Sequence, residues 1–304
     1  MQCNTTHLLV DFMPLYYKYF FLLRNGKLKR LSAVIDNATV DTTYLYYITK
    51  ELGGIPNELG LDRNEVKFSI CFDSKHNKRK EIDKDYKGTR DKVLTQEDFD
   101  TIDSLYDIYA KIYSVYKVDG YEADDLIASL AKYTDSYDKV YVMSPDKDLI
   151  HLVSDKVAMI RTNPYKQLRQ IVDRSNYEEF MEKSFSVQAP YNSILLYLST
   201  VGDTADNIKG IKGFGKKAFN DLISSLSSKG IDYSSLTERS SLEQFVKEHF
   251  DSDKAKEALD SLELVYPIYA EISDNKENAV ESDRLELFKK YNFKSLLGLS
   301  LIHI

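Results

Sequence analysis

Residues 139–152 read KVYVMSPDKDLIHL. The first part is a short run rich in Val and Tyr that stops at Ser144 and Pro145, the pattern of a strand closed by a turn. Two carboxylates, Asp146 and Asp148, follow at once. Upstream, residues 7–11 (HLLVD) and 67–73 (KFSICFD) are built alike and end on Asp11 and Asp73. Between these runs apolar residues recur at helical spacing: residues 40–52, then Phe99, Ile102, Tyr106, Tyr109, Ile112 and Tyr116, then Leu126, Ile127, Leu130 and Tyr133. Strands alternating with helices predict an α/β fold, a mostly parallel central sheet flanked by helices. Such sheets bind ligands beyond the carboxyl ends of their strands, which is where this chain places its acids.

The bulk numbers narrow the class. With 304 residues, 43% hydrophobic and 29% charged, the chain can bury a substantial core and lacks the bias of a disordered or low-complexity polypeptide. Two cysteines, Cys3 and Cys71, are too few for a disulfide framework or a zinc quartet, which points to a reducing cytoplasm. The apolar stretch at residues 16–23 is short, interrupted by Lys18 and flanked by Asp11 and Arg24, so neither a membrane span nor a signal peptide is expected. A net charge of −7 argues at first against a nucleic-acid partner. Yet residues 75–92 hold eight basic side chains against four acidic ones, and a protein acidic at a metal site and basic beside it can still hold DNA.

After about residue 190 the pattern turns mostly helical, with glycines at Gly210, Gly213 and Gly215. The expected organisation is an α/β core over residues 1–190 and a helical subdomain over residues 191–304. The Ser-rich stretch at residues 224–241 reads as a mobile connection or a plain surface loop.

Five segments carry acids: Asp11; Asp73; Glu122, Asp124 and Asp125 in GYEADD; Asp146 and Asp148 in SPDKD; Asp203 and Asp206 in GDTAD. Taken singly, Asp11 or Asp73 reads as a turn or capping residue, EADD as a helix start and the 146–148 pair as a solvated loop. Together at one sheet edge they could not all ionise without bound cations. Hard divalent ions with oxygen ligands resolve that conflict, and two such ions suit phosphodiester hydrolysis.

The ordered series VD (10–11), CFD (71–73), Arg79 with YKGTR (86–90), GYEADD (120–125), MSPDKDLIHL (143–152) and VGDTADNIKGIKGFGKKA (201–218) resembles the 5′-nuclease family. That family includes the nuclease domain of bacterial DNA polymerase I, phage 5′-exonucleases and flap endonucleases. Order and spacing hold from about residue 7 to 222. The resemblance implies a PIN-like core and a metal-dependent 5′→3′ exonuclease and 5′-flap endonuclease. It implies two Mg2+ ions, with Mn2+ as a substitute, on the nine acids Asp11, Asp73, Glu122, Asp124, Asp125, Asp146, Asp148, Asp203 and Asp206.

It further implies that Lys87 contacts the scissile phosphate, that Tyr86 stacks on an unpaired base, and that Arg79 and Arg90 hold phosphates. Residues 75–95 correspond to a basic arch over the site. Residues 201–222 resemble a helix-hairpin-helix element, in which Lys209, Gly210, Lys212, Gly213, Gly215, Lys216 and Lys217 would hold duplex phosphates, with K+ at the turn. Without that context Lys87 reads as a solvated lysine, Tyr86 as a packing residue and the glycines as a tight turn. The chain departs from the family pattern at Phe12, where Gly is usual, at Lys18, where Arg is usual and the phosphate contact loses its bidentate fork, at Lys78 and at Ala218-Phe219.

The implied partner is DNA with a 5′ flap or free 5′ end, or an RNA/DNA hybrid, met by a monomer in replication, removing RNA primers or flaps alongside other replication proteins. The size resembles phage members, and residues 299–304 match no sliding-clamp peptide. The alternatives are a family member that binds junctions without cutting them and an unrelated α/β metal hydrolase.

Overall fold

The acid-tipped runs form adjacent strands of one sheet. A computed structural model of the chain describes residues 5–90, 93–162, 169–230, 233, 236–273, 281–293 and 296. The chain opens with β1 (Thr6–Asp11) and α1 (Phe12–Arg24), then a hairpin of β2 (Ser32–Ile35) and β3 (Ala38–Asp41), α2 (Thr43–Glu58) and β4 (Val66–Cys71). One helical turn, α3 (Arg79–Ile82), precedes α4 (Gln96–Tyr109), β5 (Ser114–Tyr116), α5 (Ala123–Ala131) and β6 (Lys139–Met143). Strands β7 (Val157–Thr162) and β8 (Arg169–Val172) follow. The remaining elements are α6 (Tyr177–Phe185), α7 (Ile194–Val201), α8 (Lys216–Ser228), α9 (Arg239–His249), α10 (Ser252–Val265) and α11 (Glu281–Lys290).

The main sheet has six strands in the order β5-β4-β1-β6-β7-β8, all parallel except the β7–β8 pair. The chain travels from β1 outward to β4 and β5, then returns to the other side of β1 with β6. That reversal opens a crevice beyond the carboxyl ends of β1 and β6. Register sets the acids around it: Asp11 lies beside Cys71, two residues before Asp73, and Val10 pairs with Met143, three residues before Asp146.

All six residues of β1 are buried, as expected of a strand covered on both faces. Leu8 and Val10 face a cluster with α1, α2, α4 and Phe288 of α11, whereas Leu9 faces a cluster containing Leu126, Leu198, Phe219, Leu242 and Leu262. The second cluster therefore runs across residue 190 without a break. Phe12 is fully buried and stacked on Phe72 at 4.1 Å, edge-on to Tyr109. Its departure from the usual glycine thus adds a ring to the core, where such pairs contribute about 0.5–1.5 kcal/mol beyond burial itself.

Several sequence expectations change here. Val40 belongs to β3, and α2 begins only at Thr43, whose amide is held by Asp41 Oδ1 at 2.8 Å. Tyr116, at helical spacing after Tyr109, instead pairs with Cys71 on β5, and its carbonyl accepts Phe72 N. Ser224, Ser225, Ser227 and Ser228 lie in α8, and Ser240 and Ser241 in α9, so those serines are helical. Cys3, Lys92 of the basic run and residues 299–304 lie outside the described residues.

Candidate active site

Ser144 organises the crevice. Its hydroxyl donates to Asp11 Oδ2 at 2.8 Å and accepts the amide of Asp146 at 3.1 Å, coupling the end of β1 to the turn after β6. Asp146 then caps a 3-10 turn over Lys147–Leu152 by accepting the Asp148 amide at 3.0 Å. On the β4 side, Asp73 Oδ1 accepts the amide of Ala123 at 2.8 Å, which holds the start of α5 over the sheet edge. Asp203 lies in a short antiparallel bridge with Ile208, its carboxylate accepting Ala205 N at 2.8 Å.

The nine acids divide by charge partner. Glu122 takes Lys87 at 2.6 Å and Arg79 at 3.0 Å, Asp125 takes Arg79 at 2.6 Å, and Asp206 takes Arg90, with Lys87 at 3.7 Å. Asp11, Asp73, Asp124, Asp146, Asp148 and Asp203 have no ion pair among the described residues. The consequence appears in their proton affinity. Burial, then Asp73 and Asp146, push Asp11 well above the ordinary carboxylate range. Burial with Asp11 and Asp146 does the same to Asp124, and burial with Asp146 and Asp203 to Asp148. Glu122 goes the other way: burial would raise it, but Lys87 and Arg79 outweigh that and hold it low.

No three of these groups, among the described residues, already close around one point as a ready-made metal cage. The six unpaired acids nevertheless fit divalent cations, because only positive charge relieves their repulsion without protonation. The sign gives a test. Asp11, Asp124 and Asp148 have folded pKa values above their unfolded ones, so their contribution is favourable at low pH and is lost as pH rises through the folded values. Without a divalent ion, thermal midpoints should therefore gain from these groups as the pH falls from neutrality towards the ordinary aspartate value of 3.8. Mg2+ should raise the midpoint more at the upper end of that range than at the lower, whereas an equal increment at both would remove the acid cluster as the cation site.

The 5′-3′ exonuclease, N-terminal resolvase-like domain family matches residues 6–184, more than half of the chain. This chain belongs to that family. DNA polymerase I of Borreliella burgdorferi is 31% identical over 221 residues, 71% of this chain and 22% of the polymerase. DNA polymerase I of Bacillus subtilis is 28% identical over 300 residues, 95% of this chain and 31% of the polymerase. The chain thus spans between a fifth and a third of these curated relatives. The T5 D15 protein, co-crystallised with metal ions, shares the fold with a TM-score of 0.60 at 18% identity, over 97% of this chain and 99% of that one.

Within this 5′-3′ exonuclease fold, several residues expected at DNA or metal have other partners. Arg79 is 5% exposed: its Nη1 and Nη2 grip both oxygens of Asp125 at 2.6 and 2.7 Å, and its Nε donates to the carbonyl of Leu264 at 2.8 Å. That pairing engages the two side chains with each other, and Asp125 is 1% exposed. Tyr86 is buried with Ile208 and Leu264 and donates its hydroxyl to Glu122 at 3.0 Å. Lys18 donates to both oxygens of Glu51 at 2.8 Å, joining α1 to α2, because the nearly buried Glu51 needs a cation.

The segment expected as an arch is fastened near its middle: Lys87 N donates to Asp206 O at 3.0 Å and Asn207 Nδ2 to Asp85 O at 3.0 Å. Lys87 itself is left-handed, φ 53°, with its ammonium at the crevice. Gly202 and Gly210 fit where a Cβ would meet opposing backbone at 2.4 and 2.5 Å, whereas Gly213 and Gly215 face open space. Lys209, Lys212, Lys216 and Lys217 are all exposed around that turn. Sequence reading passed over Ser144 and His151; a small polar residue at a strand end and a histidine among acids were the only signals.

Proposed function

We propose that this chain is a structure-specific 5′ nuclease that hydrolyses a phosphodiester of DNA near the junction between duplex and a free 5′ single strand. The observation that carries this is the division of charge in the crevice: six acids without basic partners beside one lysine, Lys87, whose ammonium reaches the same place. Asp11, Asp73, Asp124, Asp146, Asp148 and Asp203 would hold two Mg2+ ions, or Mn2+ in their place. When bound, these ions supply an activated water and neutralise charge on the leaving oxygen.

The chain's own residues do the rest. Ser144 aims Asp11, and the α5 start carries Asp124 to the cluster. Glu122 keeps Lys87 in place until a phosphate arrives to compete for it, and the lysine then stabilises the negative charge that grows during displacement. The α7–turn–α8 unit acts as the helix-hairpin-helix element: the open backbone at Gly213 and Gly215, the start of α8 and the four exposed lysines receive duplex phosphates. A K+ ion at this turn, an RNA/DNA hybrid as second substrate and replication proteins as partners belong to the same reading. No helix among the described residues is long and apolar enough to cross a membrane.

Single-turnover cleavage of a labelled 5′-flap duplex tests it. With Mg2+ the full chain should cut near the junction and leave a 5′-phosphate, and with chelator it should not cut. A chain that binds the flap in Mg2+ yet never cuts it would be a junction-binding module instead.

A further inference from the structure

The turn that carries Lys87 is closed by Gly88 N, which donates to Asp85 O at 2.9 Å. Lys87 is its third residue and lies in the left-handed region, φ 53°, where a residue with a side chain stays only if its surroundings hold it. Three consecutive residues of the loop that follows α7 meet this turn. Asp206 O accepts Lys87 N at 3.0 Å, and Ile208 packs with Tyr86 and Leu264. Between them, Asn207 Nδ2 donates at 3.0 Å to Asp85 O, the same oxygen that closes the turn.

The loop is itself anchored. Asp203 and Ile208 exchange both main-chain hydrogen bonds, at 2.9 and 2.7 Å. Just beyond, Gly210 N donates to Ser261 Oγ of α10 at 3.1 Å and Ile211 N to Thr200 O of α7 at 2.7 Å. Asn207 therefore stands on a frame tied to two helices, with φ 59°, a conformation that asparagine tolerates better than most residues. Glycine and aspartate tolerate it too, but neither offers a side-chain N–H to the Asp85 carbonyl, which can only accept.

We propose that Asn207 is a positioning residue for the cleavage: its amide holds the Asp85–Gly88 turn so that the Lys87 ammonium stands at the crevice. The inference rests on the reading of Lys87 as the group that stabilises charge growing on the phosphate. Lys87 Nζ stands 2.6 Å from Glu122 and 3.7 Å from Asp206, so its place is set within a narrow space between carboxylates. Misplacing a reacting group by about 1 Å costs on the order of 10²-fold in rate. The same loop leads directly into Lys209 and Gly210, so the lysine and the turn proposed to receive the duplex share one frame.

Single-turnover cleavage of the 5′-flap duplex at saturating Mg2+ tests it, comparing the full chain with Asn207→Gly, Lys87→Ala and the two combined. Glycine keeps the backbone conformation and deletes the side-chain amide. Asn207→Gly should cut roughly 10–100-fold slower than the parent, with flap affinity and Mg2+ requirement unchanged. In the Lys87→Ala chain the same substitution should change the rate by less than about twofold, because the amide acts through a side chain that is no longer there. Asn207→Asp keeps the shape and the left-handed tolerance but cannot donate; it should be slowed at least as much, and it carries the test if the glycine variant folds poorly. Cutting at the parental rate, a raised Mg2+ requirement, or an equal loss with and without Lys87 overturns the inference and leaves the nuclease reading intact. A parent that does not cut with Mg2+ overturns both.

Discussion

Cleavage of a 5′-flap duplex by the Lys87→Ala chain is expected to run about 10²–10³-fold slower than the parent in single turnover at saturating Mg2+. Lys87 Nζ is held 2.6 Å from Glu122 and 3.7 Å from Asp206. Burial alone would lower the affinity of that ammonium for its proton, but the Glu122 charge more than restores it, so the group is cationic whenever substrate arrives. Its backbone is tied to Asp206 O and is left-handed, so the side chain leaves the turn in one direction. Alanine keeps the backbone tie and removes the ammonium together with its aliphatic stem. The loss should fall on the rate and not on flap affinity, since charge that grows only in the transition state lowers the chemical step and not ground-state binding. A loss below about tenfold would make Lys87 merely the counter-ion of Glu122.

The strand ends were legible because period and length are local: three short apolar runs stopping at polar residues place Asp11, Asp73 and Asp146 along one edge, and β1, β4 and β6 are neighbours. The hairpin β2–β3 and the β7–β8 pair were not read. Four-residue strands such as Ala38–Asp41, exposed at every position, carry too little alternation to separate from a helix start. Tyr116 misled for a related reason, since an aromatic at the right spacing packs as well on an edge strand as on a helix.

The acids were readable as a group but not in their division. Which carboxylate is unpaired depends on where the cations lie, and Arg79 meets Asp125 only because α3 and α5 pack against the end of α10 and the chain just after it. Its other partners, the carbonyls of Leu264 and Tyr266, lie 185 and 187 residues away in sequence. Nothing local distinguishes Arg79 from the solvated Lys80 beside it.

That junction yields a large expected stability change: Arg79→Ala should lower the free energy of unfolding by about 3–5 kcal/mol in urea denaturation. All three guanidinium nitrogens are engaged, with Asp125, Glu122 and two main-chain carbonyls. Removing it leaves Asp125, at 1% exposure, with only the amides of Glu122 and Ile268. It also leaves the Leu264 and Tyr266 carbonyls without that donor. The cost is mostly that of an uncompensated buried charge and not of a lost attraction. Arg79→Met combined with Asp125→Leu removes both charges and should recover most of the loss, a strongly non-additive cycle. Were Arg79 instead a phosphate contact, Arg79→Ala would change stability by less than about 1 kcal/mol and weaken DNA binding in a salt-dependent way. The two outcomes separate cleanly, because a buried pair holds the fold together whether or not DNA is present.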